Sequence, residues 1–115
     1  MTAQERKALE DFVAAVRARY GARLVDVLVF GSRARGDAEP DSDVDLAIIL
    51  EDGDWKFFDE KMALCDIAYD LLLETGLFIQ SWPVAASVWT GAVTSRTPPF
   101  VIGARREARP VGEAA

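Results

Sequence analysis

Histidine is absent from this sequence, and cysteine occurs once, at Cys65. Those two facts exclude triads built on an imidazole base, Cys/His zinc sites supplied by this chain alone, and any internal disulfide. No apolar run approaches the ~20 residues that cross a bilayer, and the first residues do not read as a secretion signal. The expectation is a cytoplasmic protein with no membrane contact. Positive charge is also in deficit: 13 Lys and Arg face 19 Asp and Glu, a net charge of −6. General nucleic-acid binding needs clustered cations to neutralise phosphates, so this balance argues against it. Acid–base or metal chemistry in this chain has to run on carboxylates.

What is present is enough for one core. A chain of 115 residues, half of them apolar, is expected to form a single domain over 1–115. Its last residues, 110–115, read as a flexible tail. Thr2 to Tyr20 reads as a helix, with Leu9, Phe12, Val13, Val16 and Tyr20 on one stripe, Thr2 and Glu5 at capping-box spacing, and Gly21 as the stop. Arg23 to Phe30 reads as a mostly buried strand, and 31–42 as a loop with room for one helical turn. Asp43 to Leu50 is a second strand, apolar on both faces in its later half and therefore central.

Trp55 to Thr75 follows as a helix, with Phe58, Met62, Cys65, Tyr69 and Leu72 on its core stripe. Phe57, Leu64, Ile67 and Leu71 widen that stripe. Leu77 to Val84 is a third strand, Ala85 to Trp89 a short helix, and Pro98-Pro99 opens a last helix carrying Phe100, Ile102 and Arg105. The order predicts an α/β (α+β) fold, a small mixed sheet packed by helices with the functional loop at one end.

The informative stretch is Gly31 to Leu46, G-S-R-A-R-G-D-A-E-P-D-S-D-V-D-L. Asp43 and Asp45 stand two apart on a strand, so both carboxylates project to one face with Cα atoms about 7 Å apart. Carboxylates that converge at the mouth of a buried strand repel unless a cation lies between them, and Mg²⁺ with oxygen ligands suits the pair. Gly31-Ser32 ends the preceding strand, where glycine admits close backbone approach and amides plus a hydroxyl suit phosphate oxygens. Arg33 and Arg35 add guanidinium groups that recognise phosphate. A lone D-x-D is most often a solvated turn. Ten residues after a Gly-Ser, with both on strand ends, it predicts a nucleoside triphosphate and metal site.

Gly31-Ser32, ten residues, then Asp43-Val44-Asp45 resembles the defining motif of the minimal nucleotidyltransferases, a branch of the DNA polymerase β superfamily. The resemblance implies transfer of a nucleoside monophosphate, usually AMP from ATP, to a hydroxyl with release of pyrophosphate. It implies Asp43 and Asp45 as catalytic metal ligands for Mg²⁺, with Gly31, Ser32, Arg33, Arg35 and Ser42 holding the nucleotide. Small members of this kind pair with HEPN-type toxins, so the resemblance also implies an antitoxin that modifies or binds such a partner. Wide apolar helix faces and several tryptophans in a short domain predict a homo- or hetero-oligomer.

One part of the pattern is missing. The family places a third carboxylate on the next strand, but L-F-I-Q-S-W-P-V offers only Gln80 and Ser81, neither of them a good base at neutral pH. Nucleotide binding is therefore better supported than turnover, and a neutralising nucleotide-binding module is the alternative function. Asp66, Asp70 and Glu74 read as the solvated face of their helix, Cys65 as core, and Trp55, Trp82 and Trp89 as core or interface. Arg105, Arg106 and Arg109 form a small basic cluster that reads as a solvated helix end.

Overall fold

The computed structural model describes residues 1–40, 42–92 and 97–115. The first helix, α1 (Ala3–Tyr20), is closed by the expected capping box: Thr2 Oγ1 accepts from the Glu5 amide at 3.1 Å and Glu5 Oε1 accepts from the Thr2 amide at 2.9 Å. Its stripe of Ala8, Leu9, Phe12, Val16 and Tyr20 is buried. A 3-10 turn leads into β1 (Leu24–Phe30). One helical turn, α2 (Ser32–Arg35), and a loop connect it to β2 (Val44–Leu50). Helix α3 (Phe57–Thr75), strand β3 (Ile79–Ala85) and two short helices, α4 (Ala86–Thr90) and α5 (Pro99–Glu107), complete the order before a two-residue strand, β4 (Arg109–Pro110).

The sheet runs β3-β2-β1-β4. β1 is antiparallel to β2 and to β4, whereas β3 is parallel to β2 because α3 carries the chain back across one face. β2 is central, as its apolar run requires. Val44, Leu46, Ile48 and Leu50 join the main core with α1, Leu64 and Ala68, while Ala47 and Ile49 are buried on the opposite face. On that second face Phe100 of α5 lies over Phe30 and Trp82, with ring centroids 6.2 Å and 5.2 Å away.

Two expectations change. α3 is apolar around much of its circumference, and one helix can turn only one arc to a sheet. The arc that packs is Leu64 and Ala68, with Ile67 and Leu71 partly covered. Phe58, Met62 and Tyr69 of the expected core stripe are exposed instead, and Asp66, Asp70 and Glu74 are solvated as read. The segment read as a tail is packed: Pro110 pairs with Leu28, Ala114 is buried, and Ala115 donates its amide to the Arg33 carbonyl at 2.9 Å. Among the described residues, no helix is long and apolar enough to cross a membrane.

Candidate active site

The antiparallel register of β1 on β2 sets Phe30 opposite Asp45, so the residue after Phe30 stands at the rim beside that carboxylate. That residue is Gly31, with φ +74°, and a β-carbon placed on it would lie 2.6 Å from Asp45 Oδ2. Only glycine takes this turn without strain and leaves room for the acid. The parallel register on the other side sets Gln80 opposite Asp45 and Trp82 opposite Ala47. A row of Phe30, Asp45 and Gln80 therefore forms the rim, above a floor of Ala47 and Trp82 that Phe100 covers. Asp43 is exposed just before β2 begins.

Asp45 is half-buried. Burial, and after it the neighbouring Asp43 carboxylate, pushes its pKa above the ordinary value of 3.8. Glu107 adds to the rise, while Arg35 and Lys61 oppose it. Lys61 comes from α3, with its Nζ donating to the Ser81 carbonyl at 2.5 Å and resting 3.9 Å from the Trp82 ring centroid. Burial pulls the Lys61 pKa down, and the field of Cys65 and Asp45 partly restores it. A negative rim flanked by two cations is the charge pattern that a metal-bound polyphosphate matches.

The two loop arginines separate. Arg35 lies on the site side, with Nη1 3.0 Å from Glu107 Oε2 and Nε 3.1 Å from Asp37 Oδ2. Arg33 points away and is buried, donating to the carbonyls of Ser42 at 2.7 Å, Ala115 at 3.1 Å and Pro40 at 3.4 Å. It borders a concavity of about 470 Å³ that also contains Thr2, Glu5 and Ala115 and neither aspartate. The structure thus does not bring Arg33 to the acid pair; its buried guanidinium donates to the backbone oxygens of Pro40, Ser42 and Ala115 instead. Ser42 is likewise a loop organiser, its Oγ accepting from the Glu39 amide at 2.8 Å. Ser32 opens α2 next to Gly31, its carbonyl accepting from the Gly36 amide at 3.0 Å.

The donor set fits Mg²⁺ of one particular kind. Among the described residues no group of three or more His, Cys, Asp or Glu side chains could enclose a metal. Asp43 and Asp45 remain as a pair, the second held above its ordinary pKa first by burial and then by the Asp43 carboxylate. That suits a cation brought with the substrate and completed by phosphate oxygens and water, the usual arrangement for Mg²⁺.

Residues 9–96 match the nucleotidyltransferase domain family. The chain belongs to that family. Two Methanocaldococcus jannaschii proteins, each named "Putative protein adenylyltransferase", are similar to it. MJ0604 is 35% identical over 67% of this chain and 70% of its own length. MJ1305 is 32% identical over 62% of this chain, which spans about half (48%) of that protein's length. The structure of Elizabethkingia meningoseptica CdnE cyclic dinucleotide synthase with GTP and Apcpp shares the fold, at TM-score 0.52 and 18% identity. That match covers 69% of this chain and 36% of the synthase chain.

Within this nucleotidyltransferase domain, sequence reasoning missed Lys61 and Glu107. Lys61 carried a weak signal, being the only base within α3. Glu107 carried none, since it reaches the site through the packing of α5. Of the two neutral residues on β3, only Gln80 shares the Asp45 row. Ser81 pairs with Leu46 instead, and its Oγ is buried with no hydrogen-bond partner among the described residues.

Proposed function

We propose that this nucleotidyltransferase transfers AMP from ATP, with Mg²⁺, to a hydroxyl on a partner protein, and that it serves as the antitoxin partner of a HEPN-type toxin. The observation that carries the transferase reading is the contact between the two halves of the motif. Gly31 and Asp45, fourteen positions apart in sequence, meet so closely that no side chain fits between them. In the reaction the acceptor oxygen bonds to the α-phosphorus, the bond from that phosphorus to the bridging oxygen breaks, pyrophosphate leaves, and the hydroxyl proton passes to solvent or a carboxylate. Asp43 and Asp45 would hold Mg²⁺, which neutralises charge developing on the phosphates. Gly31, Ser32 and Arg35 would hold the triphosphate, with Lys61 as a further cation on the far side of Asp45. The names of the two archaeal relatives support a protein acceptor. The exposed Phe58, Met62, Tyr69 and Leu73 of α3 support association with a partner or a second copy.

A second reading is favoured by Gln80. An amide stands in the row of Asp45 where a third carboxylate would activate the acceptor, so the chain is alternatively a nucleotide-binding module that neutralises its partner by docking. Intact-mass spectrometry separates the two. The purified chain is incubated with ATP and Mg²⁺ together with the product of its neighbouring gene. Addition of AMP units to that product, absent with Asp43→Asn, establishes the transferase. A tight complex without mass change establishes the docking module.

A further inference from the structure

Glu107 sits on donors suited to a phosphate. From the last turn of α5 its Oε2 accepts from the Gly31 amide at 2.9 Å and from Arg35 Nη1 at 3.0 Å. A single carboxylate oxygen thus takes a main-chain N–H and a guanidinium N–H at the turn beside Asp45. Those are the donor types that receive a phosphate oxygen.

Two anchors on either side of Glu107 impose this position. Phe100, packed on Phe30 and Trp82, fixes the start of α5 on the sheet. Arg109, two residues after Glu107, pairs with Val29 of β1. Between them the helix end must face the end of β1, where Gly31 begins. The Glu107 side chain nevertheless remains 30% exposed, so it can rotate into solvent while the helix stays in place.

Charge makes the seat exclusive. Asp43 and Glu107 already bear on Asp45 with like charge, opposed by Arg35 and Lys61. A polyphosphate that took the Gly31 and Arg35 donors would meet the Glu107 carboxylate at hydrogen-bond range, and like charges do not share such a seat. We propose that Glu107 is an internal competitor for the triphosphate: it holds the Gly31–Arg35 seat, must swing out before a phosphate group can take it, and thereby sets nucleotide affinity. This rests on the reading of the site as a triphosphate site.

The test is calorimetric titration of the full chain and its Glu107→Gln and Glu107→Ala variants with inorganic tripolyphosphate and with Mg·ATP. Removing the competing charge should tighten tripolyphosphate binding by roughly tenfold, the scale of one charge-assisted hydrogen bond. In the unaltered chain, the Gly31 amide resonance should shift as tripolyphosphate saturates, a readout that does not depend on either variant folding. Equal or weaker binding by both variants, or a Gly31 resonance that does not move, overturns the proposal. Tighter tripolyphosphate binding without any nucleotide transfer would keep Glu107 as competitor and remove the transferase reading. Transfer that proceeds with affinity indifferent to Glu107 would do the reverse.

Discussion

Gly31 and Asp45 are packed so closely that a β-carbon on the first would lie 2.6 Å from Oδ2 of the second. The glycine holds φ +74°, which strains any other residue, and a side chain there would have to push the half-buried Asp45 carboxylate aside. Gly31→Ala should therefore cost about 1–3 kcal/mol in urea unfolding, from backbone strain together with displacement of Asp45. It should weaken Mg·ATP binding at the same time. Unchanged stability would show that the turn relaxes without disturbing the acid.

Asp45→Asn should stabilise the fold at neutral pH. Burial and the adjacent Asp43 raise the folded-state pKa above 3.8, so ionising Asp45 costs more in the folded chain than in the unfolded one. That cost is fully present above the raised pKa and is relieved as pH falls through it toward 3.8. The amide never carries the charge, so its advantage in thermal midpoint should be largest near pH 7 and shrink across that window. An advantage that grows on acidification would contradict the assignment.

Arg33 and Arg35 should behave as opposites although they lie two positions apart. Arg33→Ala strips buried donors from the carbonyls of Ser42, Pro40 and Ala115 and should cost about 2–4 kcal/mol. Arg35→Ala removes only solvent-exposed ion pairs with Asp37 and Glu107. It should leave the unfolding midpoint in place while weakening triphosphate binding roughly tenfold. Denaturation and calorimetry on the two variants check the split, and equal loss of stability would refute it.

Ser81→Ala should be neutral or stabilising, by up to about 1–2 kcal/mol. The Ser81 hydroxyl is buried without a partner among the described residues, and its removal ends an uncompensated desolvation. The Lys61 anchor is untouched, because it is made to the Ser81 carbonyl. A clear destabilisation in thermal unfolding would mean that the hydroxyl has a partner in solution.

The strands and helices were legible because each carries its own period. The β-branched and aromatic content of β1, the continuous apolar run of β2 and the capped stripe of α1 fix element type without tertiary help. Which arc of α3 packs was not legible, since Phe58, Met62 and Tyr69 are as apolar as Leu64 and Ile67; only the position of the sheet decides. β4 is two residues long and carries no period at all, so the C-terminal segment read as a tail although Ala114 is buried. At the candidate site, Gly31, Ser32, Asp43 and Asp45 stand out in the sequence by their spacing. The two arginines do not, because a helical turn over 32–35 sends positions two apart to nearly opposite sides, about 200° around the axis. Lys61 and Glu107 reach the rim through the packing of α3 and α5, a relationship that a single sequence does not display.

The central claim is that Asp43 and Asp45 receive a metal-bound triphosphate at the Gly31 turn. Calorimetric titration of ATP into the intact chain and into Asp45→Asn, each with and without Mg²⁺, tests it most directly. The predicted result is binding that requires Mg²⁺ and weakens at least tenfold in Asp45→Asn while the fold is retained. ATP binding that is indifferent to both Mg²⁺ and Asp45, or no binding under any of the four conditions, would contradict it.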